Sequence, residues 1–203
     1  MNEKEILNQE IHSLEEKIKF LDNQKDKEIW SVTEFLTNLN IEFDKNELEK
    51  SSEEPIDIKF REASFQVKAI YDEDRKMVKE YKDDLEKAKN ASTLSESLNL
   101  REYCPRDISI QEIANLINEI LESYILSPEQ YGKIDMLFYF NRLDYGINED
   151  CQCVFPNDKI WKRWRSISMV KNGGINFIYW AKNDASDFIE ANVGKIIFKN
   201  KRP

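Results

Sequence analysis

The chain has 203 residues, 40% of them hydrophobic and 34% charged, with a formal net charge of −9, so a core can form under a heavily charged surface and wholesale disorder is excluded. No stretch approaches the ~20 apolar residues of a membrane span, and the opening MNEKEILNQE lacks the apolar centre of a signal peptide, so a cytoplasmic protein is expected with no membrane partner. One histidine, His12, and three cysteines, Cys104, Cys151 and Cys153, exclude His-based triads, HExxH metalloproteases, a disulfide framework and CxxC zinc sites.

In chain order, Leu7, Ile11, Leu14, Ile18 and Leu21 form a heptad seam that predicts a helix over residues 3–29, able to pack on the body or on a twin helix. A second helix is expected over 27–39, with Trp30, Phe35, Leu36 and Leu39 inward and Asn38-Leu39-Asn40 as terminator. Ile41-Glu42-Phe43 alternates as a strand does. After an acidic loop and Pro55, residues 56–60 and 64–70 read as two strands of a hairpin turned at Arg61-Glu62-Ala63. Asp72-Glu73-Asp74 should open a charged helix over 73–91. Ser109 should cap another over 110–126, with a wide apolar face at Ile113, Ile117, Ile120, Leu121 and Tyr124. Residues 134–140 are the most apolar run and read as a strand buried on both faces. Strands over 165–171 and 175–181 flank the hairpin signal Asn172-Gly173-Gly174, followed by a short helix over 185–191 and a strand over 196–198. This order describes a mixed α/β (α+β) chain: an N-terminal helical extension, residues 1–29, and one domain, residues 30–203.

Charge is uneven. Residues 159–203 hold ten Lys or Arg against three acids, a net +7, whereas residues 1–158 carry −16. The basic third, with Lys162, Arg163 and Arg165 beside Trp161 and Trp164, suits a polyanion or the acidic face of another subunit, or is a solvated surface that balances the acidic remainder. The two tryptophans are either base-stacking platforms or core anchors.

The segment that carries chemistry is Pro55-Ile56-Asp57-Ile58-Lys59-Phe60 and its partner Phe65-Gln66-Val67-Lys68. Side chains alternate along a strand, so Phe65 and Val67 share the apolar face while Gln66 and Lys68 share the other. Asp57, on the neighbouring strand, can meet them, and Glu34 on the preceding helix can add a second carboxylate. Oxygen donors from Asp57, the Gln66 side chain and the Val67 carbonyl suit a hard cation such as Mg²⁺ or Mn²⁺. Lys68 can then orient an attacking water and offset transition-state charge. An exposed polar face on an ordinary hairpin accounts for the same pattern.

Pro55-Ile56-Asp57 followed by Gln66-Val67-Lys68 resembles the PD-(D/E)XK motif of the restriction-endonuclease-like superfamily. EEPIDIKF, FQVK, YDEDR and YCPRDIS together resemble a small bacterial family of uncharacterised endonuclease-like proteins. The resemblance runs from about Trp30 to Trp180. It implies an αβββαβ core with a C-terminal β-hairpin, and a metal-dependent nuclease site with Asp57 as motif aspartate, Gln66 at the variable acidic position, Lys68 as motif lysine and Glu34 as helix glutamate. Gln66 departs from the usual Asp or Glu. The expected function is Mg²⁺- or Mn²⁺-dependent hydrolysis of DNA, by a homodimer suited to cutting two strands. Arg75, Arg106, Lys162, Arg163 and Arg165 are the candidate phosphate contacts; Arg75 and Arg106 could instead pair with Asp72 and Asp107. The alternative is an inactive or weakly active nuclease-fold subunit that serves interactions.

Overall fold

The structure, a computed structural model, describes residues 2–72, 76–97, 105–142, 145–148 and 158–199. Arg75, the three cysteines and the positions Glu73 and Asp74 lie outside the described residues. The chain forms two compact units, Met1–Lys27 with Asp72–Cys104, and Glu28–Tyr71 with Pro105–Pro203.

Residues Glu3–Asp22 (α1) and Gln24–Asn38 (α2) are separate helices. The break falls at Asn23, which leaves helical geometry and whose side chain accepts from the Asp26 amide at 3.3 Å, capping the next helix. In the first unit α1 packs along α3 (Met77–Asn90), and α4 (Leu94–Ser97) lies against both. Leu14 is buried, the other seam residues are half-buried, and Glu15–Lys89 at 2.6 Å and Asp22–Lys82 at 3.4 Å tie the helix rims together. The seam therefore has a partner helix within its own chain.

The second unit is built on seven strands: β1 (Glu49–Lys50), β2 (Ile58–Phe60), β3 (Ala63–Tyr71), β5 (Asp135–Asn141), β7 (Ser166–Lys171), β8 (Ile175–Ala181) and β9 (Ile196–Phe198), adjacent in that order. The central neighbours β3, β5 and β7 are parallel and the rest antiparallel. A separate parallel pair joins β4 (Arg106–Ser109) to β6 (Tyr145–Asn148).

Both faces of the main sheet are covered. On one face α2 and the short α8 (Asp187–Glu190) bring Val32, Phe35, Leu36 and Ile189 against Phe65, Val67, Leu137, Tyr139 and Ile178. On the other, α5 (Ile110–Glu122), α6 (Pro128–Tyr131) and α7 (Asp158–Trp161) contribute Ile113, Ile117, Leu121, Tyr131 and Trp161 against Met136, Phe138, Ile167 and Tyr179. Each such side chain contributes about 1.5–3 kcal/mol on burial, and β5, between the two layers, is buried at all seven positions. Ser109 caps α5 through a reciprocal pair of bonds with Glu112, the capping box its sequence signalled.

Residues 41–43 form no strand. Asn40 takes a positive φ of 56°, and the Ile41 amide bonds back to the Leu36 carbonyl while that of Asn40 bonds to Thr37. This is a Schellman end to α2, and the chain leaves it in irregular form.

Trp161 and Trp164 are 1% and 0% exposed, so they are core anchors and not stacking platforms. Arg165 is likewise committed inward. Its guanidinium grips the fully buried Asp135 through both carboxylate oxygens, and Ser166 Oγ at 2.8 Å and the Ser64 amide at 2.9 Å complete that carboxylate's bonds. A charge spent on a buried partner is not available to phosphate, which corrects its placement among the nucleic-acid contacts.

Candidate functional site

β2 and β3 form the expected hairpin, turned at Arg61-Glu62 with Arg61 at a φ of +49°. Ile58, Phe60, Phe65 and Val67 all enter the α2-side core, so alternation sends Gln66 and Lys68 to the α5 side.

At the open end of the hairpin the ladder changes character. The Asp57 amide donates to the Phe65 carbonyl at 2.8 Å, and Asp57 Oδ2 accepts from the Val67 amide at 2.8 Å. Asp57 thus grips the residues on either side of Gln66. Its own carbonyl accepts from the Ser51 amide at 2.9 Å, so backbone and carboxylate are both fixed. The Val67 carbonyl shares an edge of β3 with the Val67 amide, because both groups of one strand residue point to the same neighbour.

Gln66 is 6% exposed, not on the open polar face that alternation alone suggested, because the α5 layer covers this side of the sheet. Its Oε1 is buried and has no hydrogen-bond partner among the described residues, a condition that costs about 1–3 kcal/mol. Burial pushes the Asp57 carboxyl up to about 6; the Val67 amide opposes this, Glu28 adds to it, Lys68 opposes it and Glu54 adds to it. The half-buried Lys68 ammonium lies 5.9 Å from the centroid of the Tyr124 ring.

A crowded acid and an orphaned amide oxygen are both relieved by a cation. Asp57 is in contact with the Val67 backbone, and its carboxylate, the Gln66 amide oxygen and the Val67 carbonyl are hard oxygens of the kind that fit Mg²⁺ or Mn²⁺. Among the described residues no three His, Cys, Asp or Glu side chains are grouped to hold a metal, so the fit is that of a weak site.

Glu34 does not join this group. Its carboxylate is met by Lys199 Nζ at 3.3 Å, just after β9, the far edge strand. β9 is five strand spacings from β2, roughly 24 Å. The α2 acid whose charge reaches Asp57 is Glu28. Six residues separate the two glutamates, about 9 Å along the helix axis and on different sides of it, so only one can face the hairpin. Tyr124 packs against the core as its apolar spacing implies, but just past the end of α5, and its ring also faces Lys68.

The other candidates are dispersed. Arg106 donates to the Tyr145 hydroxyl at 3.2 Å on the small β4–β6 sheet. Arg163 is exposed, with its guanidinium 5.9 Å from the Tyr131 ring centroid. It is next to Trp164, whose ring packs against Tyr124 at 5.4 Å, and Lys162 is likewise exposed.

A protein of unknown function from Pseudomonas aeruginosa strain PAO1, titled as monooxygenase superfamily, shares the fold with a TM-score of 0.65 at 22% identity, over 98% of this chain and 96% of that one. That identity supports the fold alone. No curated protein matches. The family model described as "Putative endonuclease, protein of unknown function (DUF1780)" matches residues 2–202, and the chain belongs to that family.

Proposed function

We propose that the protein hydrolyses phosphodiester bonds in DNA at a divalent-metal site of the PD-(D/E)XK kind, on the open end of the β2–β3 hairpin. The observation that supports this is the Asp57 carboxylate held by the Val67 amide and close enough to Lys68 for their charges to interact, against the strand that also carries the unpartnered Gln66 Oε1. Asp57, Gln66 Oε1 and the Val67 carbonyl would hold Mg²⁺ or Mn²⁺, with Glu28 adding negative charge nearby. The ion would supply Lewis-acid polarisation of a phosphoryl oxygen.

The chain's own residues do the rest. Asp57 is immobilised by its bond to the Val67 amide, which costs nothing at the moment of reaction because the site is preorganised. Lys68 orients water toward phosphorus and offsets negative charge on the non-bridging oxygens. Lys162 and Arg163 hold the backbone by counterion release, against the repulsion of an acidic chain. A two-fold homodimer would present one such site to each strand.

The second interpretation, a nuclease-fold subunit with little or no activity, is favoured by Gln66 standing where a second carboxylate would strengthen metal binding. The discriminating experiment incubates purified protein with supercoiled, linear and single-stranded DNA and with RNA, in Mg²⁺ or Mn²⁺. Metal-dependent DNA cleavage that disappears in Asp57→Ala and Lys68→Ala supports the nuclease. Cleavage unchanged in both variants refutes the site, and no cleavage together with no metal binding favours the inactive subunit.

A further inference from the structure

Lys68 carries its charge on a flexible four-carbon stem. A group that must act at one atom needs its side chain held by its surroundings. Tyr124 has the position and the support to do this. Its ring stands 5.9 Å from the ammonium, measured to the centroid. It meets Trp164 edge-on at 5.4 Å and 88°, and Trp164 in turn meets Tyr131 at 4.8 Å.

The backbone is clamped as well. The Tyr131 hydroxyl donates to the Tyr124 carbonyl at 2.7 Å and accepts from the Leu126 amide at 3.1 Å. The loop leaving α5 is therefore pinned on both sides of Ile125, which is 95% exposed. A tyrosine that only filled the core would be enclosed by apolar neighbours. Tyr124 is half-buried and close enough to Lys68 and Asp57 to feel both charges.

We propose that Tyr124 is the positioning residue for Lys68, its ring and hydroxyl together fixing the ammonium on the side of β3 that Asp57 occupies. Burial pushes the Tyr124 hydroxyl up, outweighing Lys68, so the phenol keeps its proton at neutral pH and its neutral oxygen can accept from the ammonium. The catalytic consequence rests on the nuclease assignment above. The geometric content does not.

The test separates the two. Lysines of the full chain are reductively methylated with ¹³C-formaldehyde, and the Lys68 dimethylamine resonance is assigned by its loss in Lys68→Arg. The ring should move that resonance upfield of the exposed lysines in the wild type. Tyr124→Phe should keep most of the displacement, and Tyr124→Leu should abolish it. In cleavage assays Tyr124→Leu should lower kcat about tenfold with KM unchanged, and Tyr124→Phe should recover part of the loss. A Lys68 resonance that Tyr124→Leu leaves in place, or a kcat it leaves unchanged, overturns the proposal. If the wild type cleaves nothing, the nuclease assignment fails and the resonance alone decides the positioning. If Tyr124→Leu does not fold, Tyr124→Phe, which keeps the packing on Trp164, decides it by whether the resonance and kcat move at all.

Discussion

Replacing Asp57 by Asn should make the metal-free protein more stable at neutral and alkaline pH. Folding moves this carboxyl from 3.8 to about 6, chiefly by burial. The displacement is just over two units, and at about 1.4 kcal/mol per unit the ceiling is about 3 kcal/mol. Asp57 is only half-buried, so solvent screening reduces this to about 1–2 kcal/mol. Between the unfolded and folded values the native chain holds a proton that the unfolded chain has released, so stability falls as pH rises through that window and stays reduced above it. Asparagine is never charged and can still accept from the Val67 amide. Urea unfolding in chelator should show the full gain at pH 8 and about a third of it at pH 4.5. A variant that is neutral or less stable at pH 8, or that gains equally at both pH values, would refute the claim that Asp57 is held in an environment hostile to its charge.

Arg165→Met should destabilise the fold by about 3–5 kcal/mol in denaturant titration, because it leaves the Asp135 carboxylate buried without its counter-charge. Gln66→Glu places a second carboxylate beside Asp57; calorimetry should show tighter Mn²⁺ binding, and unfolding in chelator should show a less stable chain. Glu28→Gln should raise the Mg²⁺ concentration needed for half-maximal cleavage. Glu34→Gln should not, since that carboxylate is engaged by Lys199.

Local chemistry made much of the fold legible. The unbroken apolar run around Leu137 can only be a strand covered on two sides, and it is. Asn172-Gly173-Gly174 turns a hairpin in which both glycines hold positive φ, 98° and 85°, and a Cβ on Gly174 would lie 2.4 Å from the Lys199 Cβ. The Pro55–Lys68 segment gave the hairpin and the neighbourhood of Asp57, Gln66 and Lys68.

Tertiary facts were not legible in the same way. A helical period shows that α2 has one apolar stripe, but not where the helix crosses the sheet, and that crossing places Glu28 rather than Glu34 near Asp57. Alternation puts Gln66 opposite Phe65 in direction, but its burial depends on α5 covering the second face. Tryptophans among cations have the composition of a nucleic-acid surface; the apolar surroundings of Trp161 and Trp164 decide otherwise. The four-residue strands β4 and β6 carry no period long enough to read, because each is defined by the other.

The most direct measurement is an anomalous difference map from crystals of the protein soaked in Mn²⁺. A peak in contact with the Asp57 carboxylate, Gln66 Oε1 and the Val67 carbonyl, lost in Asp57→Ala, is the predicted result. Mn²⁺ bound elsewhere, or an Asp57 site that stays empty at saturating Mn²⁺, would contradict it.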